Sequence, residues 1–216
     1  SKYKERIKAE LAEKFEKGSR RDLGQVLANG GAGTALALCY AVDRSPVWFF
    51  AFCGAMATVN ADTWATELGV LSRRPPRLIT NGRIVEPGTS GGVSRAGTLA
   101  TLAGGAVIGG AALVYGGVER LLGRVSAPIA SYPALLLVAV TLGGLAGSLC
   151  DSLLGATAQA IYYAPNRHKE TEKQVDPDGT PNRRIRGWAW MNNDWVNFIS
   201  SLVGASTAAA VYILFT

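Results

Sequence analysis

The placement of the basic residues constrains this chain more than any other feature. All 22 Lys and Arg fall in five places: residues 1–21, Arg44, residues 73–95, Arg120 with Arg124, and residues 167–186. Between and beyond these places run five stretches of roughly 20 residues without a basic side chain, each about long enough to cross a ~30 Å hydrocarbon layer. Such segregation predicts an all-α fold: a polytopic integral membrane helix bundle with about five transmembrane helices. The formal charge of +6 and a pI near 9.4 would by themselves suggest a nucleic-acid binder. The clustering excludes that class.

Composition agrees once position is considered. A hydrophobic fraction of 48% and a mean hydropathy of +0.16 also suit a soluble protein, but here long polar segments dilute apolar runs that stay pure. The 26 glycines fit helices that approach closely in lipid. Cys39, Cys53 and Cys150 lie inside apolar runs without metal-ligand spacing and read as small buried residues.

Two parts follow. In residues 1–21, Tyr3, Ile7, Leu11 and Phe15 recur at every fourth position among charged residues, which predicts an amphipathic helix on the membrane surface. Residues 22–216 form the transmembrane domain, with spans at 24–42, 47–70, 97–117, 133–163 and 192–215. The fourth is too long for one straight crossing, so it should break or project from about Thr157. With the amphipathic helix in the cytoplasm, the cytoplasmic segments 1–21, 71–96 and 164–191 hold 19 basic residues against 3 on the other side, as the positive-inside rule expects.

Carboxylates inside or at the edge of a span are costly and mark function. Asp62 and Glu67 fall in the cytoplasmic half of the second span, Asp151 in that of the fourth, and Asp194 at the start of the fifth. At 100° per residue, Asn60, Thr63 and Glu67 form one stripe and Asp62 with Thr66 another, so this segment must be enclosed by protein or water. Ser148, Asp151, Ser152, Gly155 and Gln159 form a second polar seam, and Asn193 and Asn197 share a face of the fifth span. Asp62-Thr63 and Asp151-Ser152 stand 89 residues apart, a sign of an internal repeat.

The loop at 71–96 carries Gly88-Thr89-Ser90-Gly91-Gly92-Val93-Ser94, with Arg83 and other arginines around it. Glycines interleaved with hydroxyls can turn backbone N–H groups toward a phosphate; the plain alternative is a flexible turn before the third span. Beside acids on the same membrane face, the loop reads as one half of a phosphoryl-transfer site. For the acids, interhelical hydrogen bonds and an ion pathway remain the competing readings. His168 lies in a charged loop and reads as solvated, and Asp176-Pro177-Asp178-Gly179 reads as a turn.

Four motifs carry a family likeness. Residues 60–67 (NADTWATE), 86–94 (EPGTSGGVS), 147–155 (GSLCDSLLG) with Gln159, and 193–197 (NDWVN) resemble the integral membrane family that includes the phytyl-phosphate kinase of plant vitamin E synthesis. The resemblance runs from about Arg20 to the C-terminus. It implies phosphorylation of an isoprenyl monophosphate to the diphosphate by a nucleoside triphosphate, with CTP favoured, in the plasma membrane of a prokaryote or a plastid membrane of a plant. It also implies hydrophobic helices ahead of the amphipathic segment. Some relatives carry cysteines in the loop at 164–190, where this chain has none, although Thr171-Glu172-Lys173 fits the pattern.

On this reading Asp62, Glu67 and Asp151, with Asp194, hold Mg²⁺. Arg83 and Gly88, Thr89, Ser90, Gly91, Gly92 and Ser94 bind phosphate, and Asn60, Thr63, Ser148, Ser152, Gly155, Asn193 and Asn197 complete the site. The expected partners are the bilayer, the isoprenyl phosphate and the nucleotide, with no nucleic acid. The rival function is a transporter of ions or small metabolites, which needs access from both sides whereas every carboxylate clusters near one. A phosphohistidine phosphatase lacks a supporting motif around His168, and a CDP-alcohol transferase lacks its run of spaced aspartates.

Overall fold

The computed structural model describes residues 23–70, 72, 74–123 and 132–216. The amphipathic helix expected at 1–21 lies outside the described residues. Five long helices are present: α1 (Leu23–Asp43), α2 (Pro46–Gly69), α3 (Arg95–Leu121), α4 (Pro133–Thr157) and α5 (Asn193–Phe215). Their starts follow ordinary helix chemistry. Pro46 and Pro133 open α2 and α4, where a missing N–H costs nothing. Ser94 caps α3 by accepting from the Gly97 amide at 3.0 Å, and Asn192 caps α5 by accepting from the Trp195 amide at 3.1 Å.

By length and apolarity α3, α4 and α5 could each cross a membrane. The expected five spans thus appear as five helices, of which three meet that standard. The reason is the polar content of the other two: α1 carries Gln25 and Asn29, and α2 carries Asn60, Asp62 and Glu67. The outer surface of the bundle is apolar, with Leu99, Val107, Val114, Leu149, Leu153 and Leu202 exposed, as lipid contact requires.

The fourth predicted span breaks where expected. α4 stops at Thr157, and by Ile161 the chain has become a strand. Two small antiparallel sheets lie in the polar segments: β1 (Arg77–Leu78) with β2 (Gly92–Val93), and β3 (Ile161–Ala164) between β4 (Lys169–Thr171) and β5 (Arg183–Arg186). The predicted turn after Asp176 is present: the Gly179 amide donates to the Asp176 carbonyl at 2.9 Å, with Gly179 at φ +84°.

Within the bundle α2 and α4 lie against each other, and both contact α3 and α5; α1 packs on α2 and α5. Small residues make these contacts possible. A Cβ added to Gly54 would meet the Gly204 carbonyl oxygen at 2.5 Å, and one added to Gly143 would meet the same oxygen at 2.7 Å. On the α3 side, a Cβ on Gly104 would come within 2.9 Å of Ala61 Cα and one on Gly105 within 3.2 Å of Thr141 Cα. Backbone contacts of this kind leave no side chain to yield, so glycine is needed at the crossing.

The register of α2 on α4 is informative. Gly54 sits against Gly143, and Thr58 fills the space above Gly147. Both pairs are 89 positions apart, the same offset as Asp62 and Asp151, so the two helices run parallel with equivalent positions opposed. Buried Thr58 reinforces the crossing: its hydroxyl donates to the Gly54 carbonyl at 3.0 Å and approaches the Gly143 carbonyl at 3.4 Å. At the far end Phe50, Leu136 and Val140 form the apolar core, with the Phe50 and Tyr212 ring centres 4.5 Å apart.

Candidate functional site

The C-terminal ends of α2 and α4 and the N-terminal ends of α1, α3 and α5 gather at one end of the bundle and enclose a cavity of about 760 Å³, within the size range of small-molecule sites. Asp62 projects from α2 and Asp151 from α4, and Asp151 feels the charges of both Asp62 and Glu172. One oxygen of Asp151, Oδ2, is buried without a hydrogen-bond partner among the described residues. Thr63 and Glu67 of α2, Ser148 and Ser152 of α4, and Asn193 and Asn197 of α5 also line the cavity.

The Gly88–Ser94 loop shares the cavity with the carboxylates. Gly88, Thr89, Ser90, Gly91, Gly92 and Ser94 all line the cavity, followed by Gly97 and Thr98 from the first turn of α3. Gly88 and Gly91 hold φ values of +79° and +83°, a region open to glycine at little cost. Gly91 has a second constraint, since a Cβ there would meet the Ala156 amide nitrogen at 2.6 Å.

Not every amide in the loop faces outward. Those of Thr89 and Gly92 donate to the Glu86 and Thr89 carbonyls at 3.1 and 2.9 Å, which builds the turn. What the loop offers a ligand is therefore the hydroxyl of Thr89, since the Gly97 and Thr98 amides at the start of α3 already donate to Ser94 Oγ and to the Ser94 carbonyl at 3.0 and 2.8 Å.

The loop is tied to the rest of the site through Gln159. This side chain is 2% exposed; its Oε1 accepts from Ser90 Oγ at 2.5 Å, and its Nε2 donates to Glu172 Oε1 at 3.0 Å and Asn193 Oδ1 at 3.5 Å. One amide thus joins the glycine loop, the end of α4, the segment after β4 and the start of α5. Gly187, at φ +76°, packs directly on the Gln159 carbonyl. Arg186 of β5 donates to the Ala156 and Gly155 carbonyls at 3.1 and 3.0 Å, satisfying the end of α4.

Four residues expected in the site do not line the cavity. Asn60 donates to the Gly104 carbonyl at 2.9 Å and joins α2 to α3. Gly155 lies under the loop, where a Cβ would meet Ser90 Oγ at 2.6 Å, so its place is one of close packing. Arg83 is exposed in the turn after β1, and Asp194, in the first turn of α5, lies off the cavity wall.

Gln25 and Asn29 of α1 also line the cavity and were not singled out from the sequence, and Arg74, one of the arginines around the loop, and Glu172 line it as well. Two polar residues four apart in an otherwise apolar helix were a usable signal for Gln25 and Asn29. Thr171-Glu172-Lys173 was one for Glu172.

The acids bear on magnesium. Among the described residues no three His, Cys, Asp or Glu side chains come together as a metal cage, so the expected set of four carboxylates is not assembled. Asp62 and Asp151 remain as a pair, and a pair fits Mg²⁺, which is commonly held by one or two carboxylates with substrate phosphates and water completing its shell. Among the described lining residues Asp62, Glu67, Asp151 and Glu172 stand against Arg74 alone. A polyphosphate entering this cavity therefore needs cationic help.

Apart from Glu172 at the cavity wall, the segment at 165–182 is held by its own polar contacts. Arg167 pairs with the Asp176 carboxylate and Asn182 donates to it at 3.1 Å. These bonds, the Arg167 contact foremost, hold the Asp176 carboxyl below the usual carboxylate range.

Residues 1–205 match the profile of the family described as Integral membrane protein DUF92. The chain belongs to that family. Among DUF92-related sequences it is 35% identical to Protein PGR of Arabidopsis thaliana over 215 residues, which takes in 92% of this chain and 72% of the plant protein. It is 34% identical over 148 residues to an uncharacterized membrane protein of Methanocaldococcus jannaschii, covering 68% of this chain and 56% of that one. A Synechocystis membrane protein, also uncharacterized, is 27% identical over 212 residues, with 96% and 66% covered. The chain thus spans little more than half of the archaeal relative. No solved structure matches it. The DUF92 membership bears out the family likeness carried by the four motifs.

Proposed function

We propose that the chain is a membrane phosphotransferase that moves the terminal phosphoryl group of a nucleoside triphosphate, with CTP favoured, onto an isoprenyl monophosphate such as phytyl phosphate. The observation that carries this reading is the juxtaposition, in one cavity of a membrane bundle, of the Asp62–Asp151 pair and the glycine-hydroxyl loop backed by the start of α3. Carboxylates and phosphate-binding groups in one cavity are what phosphoryl transfer needs.

Each part has a separable task. Asp62 and Asp151 would hold Mg²⁺, which when bound neutralises and orients polyphosphate. The Gly88–Ser94 loop, with the Thr89 hydroxyl, binds phosphate oxygens, and Asn193 and Asn197 orient the second phosphate. Gln159 keeps the loop and α5 in register.

In the transfer a phosphate oxygen of the acceptor bonds to the terminal phosphorus of the donor. The bond from that phosphorus to the bridging oxygen breaks, and the nucleoside diphosphate leaves with the electron pair. The acceptor is already ionised at neutral pH, so no strong base is required, and positioning with charge neutralisation supplies the rate. The site faces the cytoplasm on this reading, supported by the gathering of 19 of 22 basic residues in the segments at that end.

The test is to incubate the purified chain with Mg²⁺, labelled CTP or ATP, and phytyl, farnesyl or geranylgeranyl phosphate. A diphosphate product that Asp62→Asn abolishes is expected. No product from any pairing, with an Asp62→Asn variant that binds nucleotide and Mg²⁺ unchanged, would sink the proposal. Ion flux in proteoliposomes that Asp151→Asn abolishes would favour transport.

A further inference from the structure

The segment between β5 and α5 carries a feature that the phosphotransfer reading leaves unused. Trp188 stacks on Trp190 with ring centres 5.6 Å apart and planes 24° apart; Trp190 meets Trp195 edge-on at 6.2 Å, and Trp195 meets Phe198 edge-on at 6.1 Å. All three tryptophans are exposed. Three exposed tryptophans backed by a half-buried Phe198 form an apolar patch that a water-facing surface rarely keeps.

Its position indicates what covers it. Trp195 and Phe198 belong to the first two turns of α5, a helix apolar and long enough to cross a membrane, whose surface continues through exposed Leu202 to Ile213, Leu214 and Phe215. The ladder is therefore continuous with a lipid-facing surface, and it stands where that surface meets the polar β3–β5 sheet. Exposed Arg183 and Arg184 on β5 lie just before it in the chain, with guanidinium groups suited to lipid phosphates. Tryptophan favours this boundary because its ring is apolar while its N–H still finds water or a headgroup.

We propose that the Trp188–Trp190–Trp195–Phe198 ladder rests in the headgroup region of the bilayer and anchors the β3–β5 sheet to the membrane surface. The geometry of α5 gives this a consequence for the site. At 100° per residue, Trp195 and Phe198 point well away from Asn193 and Asn197, which line the cavity. The same two turns of helix thus touch lipid on one side and the cavity on the other. The cavity lies at headgroup depth, where a lipid-borne ligand of any kind presents its polar end. The inference stands on the ladder and the helix, and does not require the kinase reading.

The test uses tryptophan fluorescence of the full chain in nanodiscs of phosphatidylcholine brominated at either shallow or deep acyl positions. Two backgrounds isolate the ladder: Trp48→Phe with Trp64→Phe, and the triple change of Trp188, Trp190 and Trp195 to Phe. The first should show strong quenching by shallow bromines, at least twice that by deep ones, and little quenching by aqueous iodide. The difference between the unaltered chain and the triple variant should give the same ranking, which keeps the test intact if one background fails to fold. Strong iodide quenching with none from either brominated lipid would overturn the proposal, as would quenching by deep bromines alone.

Discussion

The bundle contains two helix–segment–helix units that start alike and diverge in their middle segments. In the first, α2 ends soon after Asp62 and a glycine-rich turn leads into the Ser94-capped α3; in the second, α4 ends soon after Asp151 and a three-stranded sheet leads into the Asn192-capped α5. The helices cross with equivalent positions opposed, so the two aspartates arrive at the cavity by the same geometry. The segments differ because they do different work: the first brings a glycine-hydroxyl loop to the cavity, and the second clasps that loop in place through Gln159. Similar helices deliver the carboxylates, while dissimilar loops decide what those carboxylates face.

The sharpest test of that comparison compares Asp62→Asn with Asp151→Asn. If the two helices share the labour, each change lowers kcat/KM for phosphotransfer by about 100-fold or more with the fold intact by circular dichroism. A difference above tenfold between them would assign the chemistry to one half.

Next in size are changes at the crossing. Gly54→Val, Gly143→Val and Gly204→Val should each cost about 3 kcal/mol in unfolding from detergent micelles, because the added methyl groups meet backbone. Gly30→Ala is the contrast. A Cβ there meets nothing within 4 Å, and the change should stabilise by about 0.5 kcal/mol.

The clasp should matter less than the crossing. Gln159→Leu should destabilise by about 2 kcal/mol, and the cost of Ser90→Ala should shrink when Gln159 is already leucine, as a double-mutant cycle would detect.

The smallest effect concerns pH and falls on the second segment alone. The Asp176 carboxyl is held low, so its contribution is present above the ordinary aspartate value of about 4 and fades as pH falls through its lower folded-state value. Limited proteolysis near residues 174–182 should rise at acid pH in the unaltered chain and rise less in Asp176→Asn, where Asp178, held low by the Thr180 amide and Asn166, is the remaining titrating group.

Much of this could be read from the residues. Charge clustering located the five helices, and the 89-residue spacing of Asp62 and Asp151, read as a sign of an internal repeat, is the offset at which α2 and α4 oppose each other. The β3–β5 sheet escaped because its strands are three or four residues long: β4 and β5 are rich in charge, and the apolar β3 reads as the end of the fourth span. Asn60 and Gly155 were misplaced for another reason. A polar or small residue within a functional motif looks the same in sequence whether it meets the ligand or the neighbouring backbone, and only the packing of α3 on α2 and of the loop on α4 separates these roles.

Arg186 grips α4 through main-chain oxygens and not through a side chain. The anchor therefore has no partner residue to drift with. As long as the helix keeps its last turn, its outer side chains are free to vary without loosening this grip, and a change at Arg186 itself, such as Arg186→Met, removes both bonds at once. The attachment is robust to most substitutions and vulnerable to one.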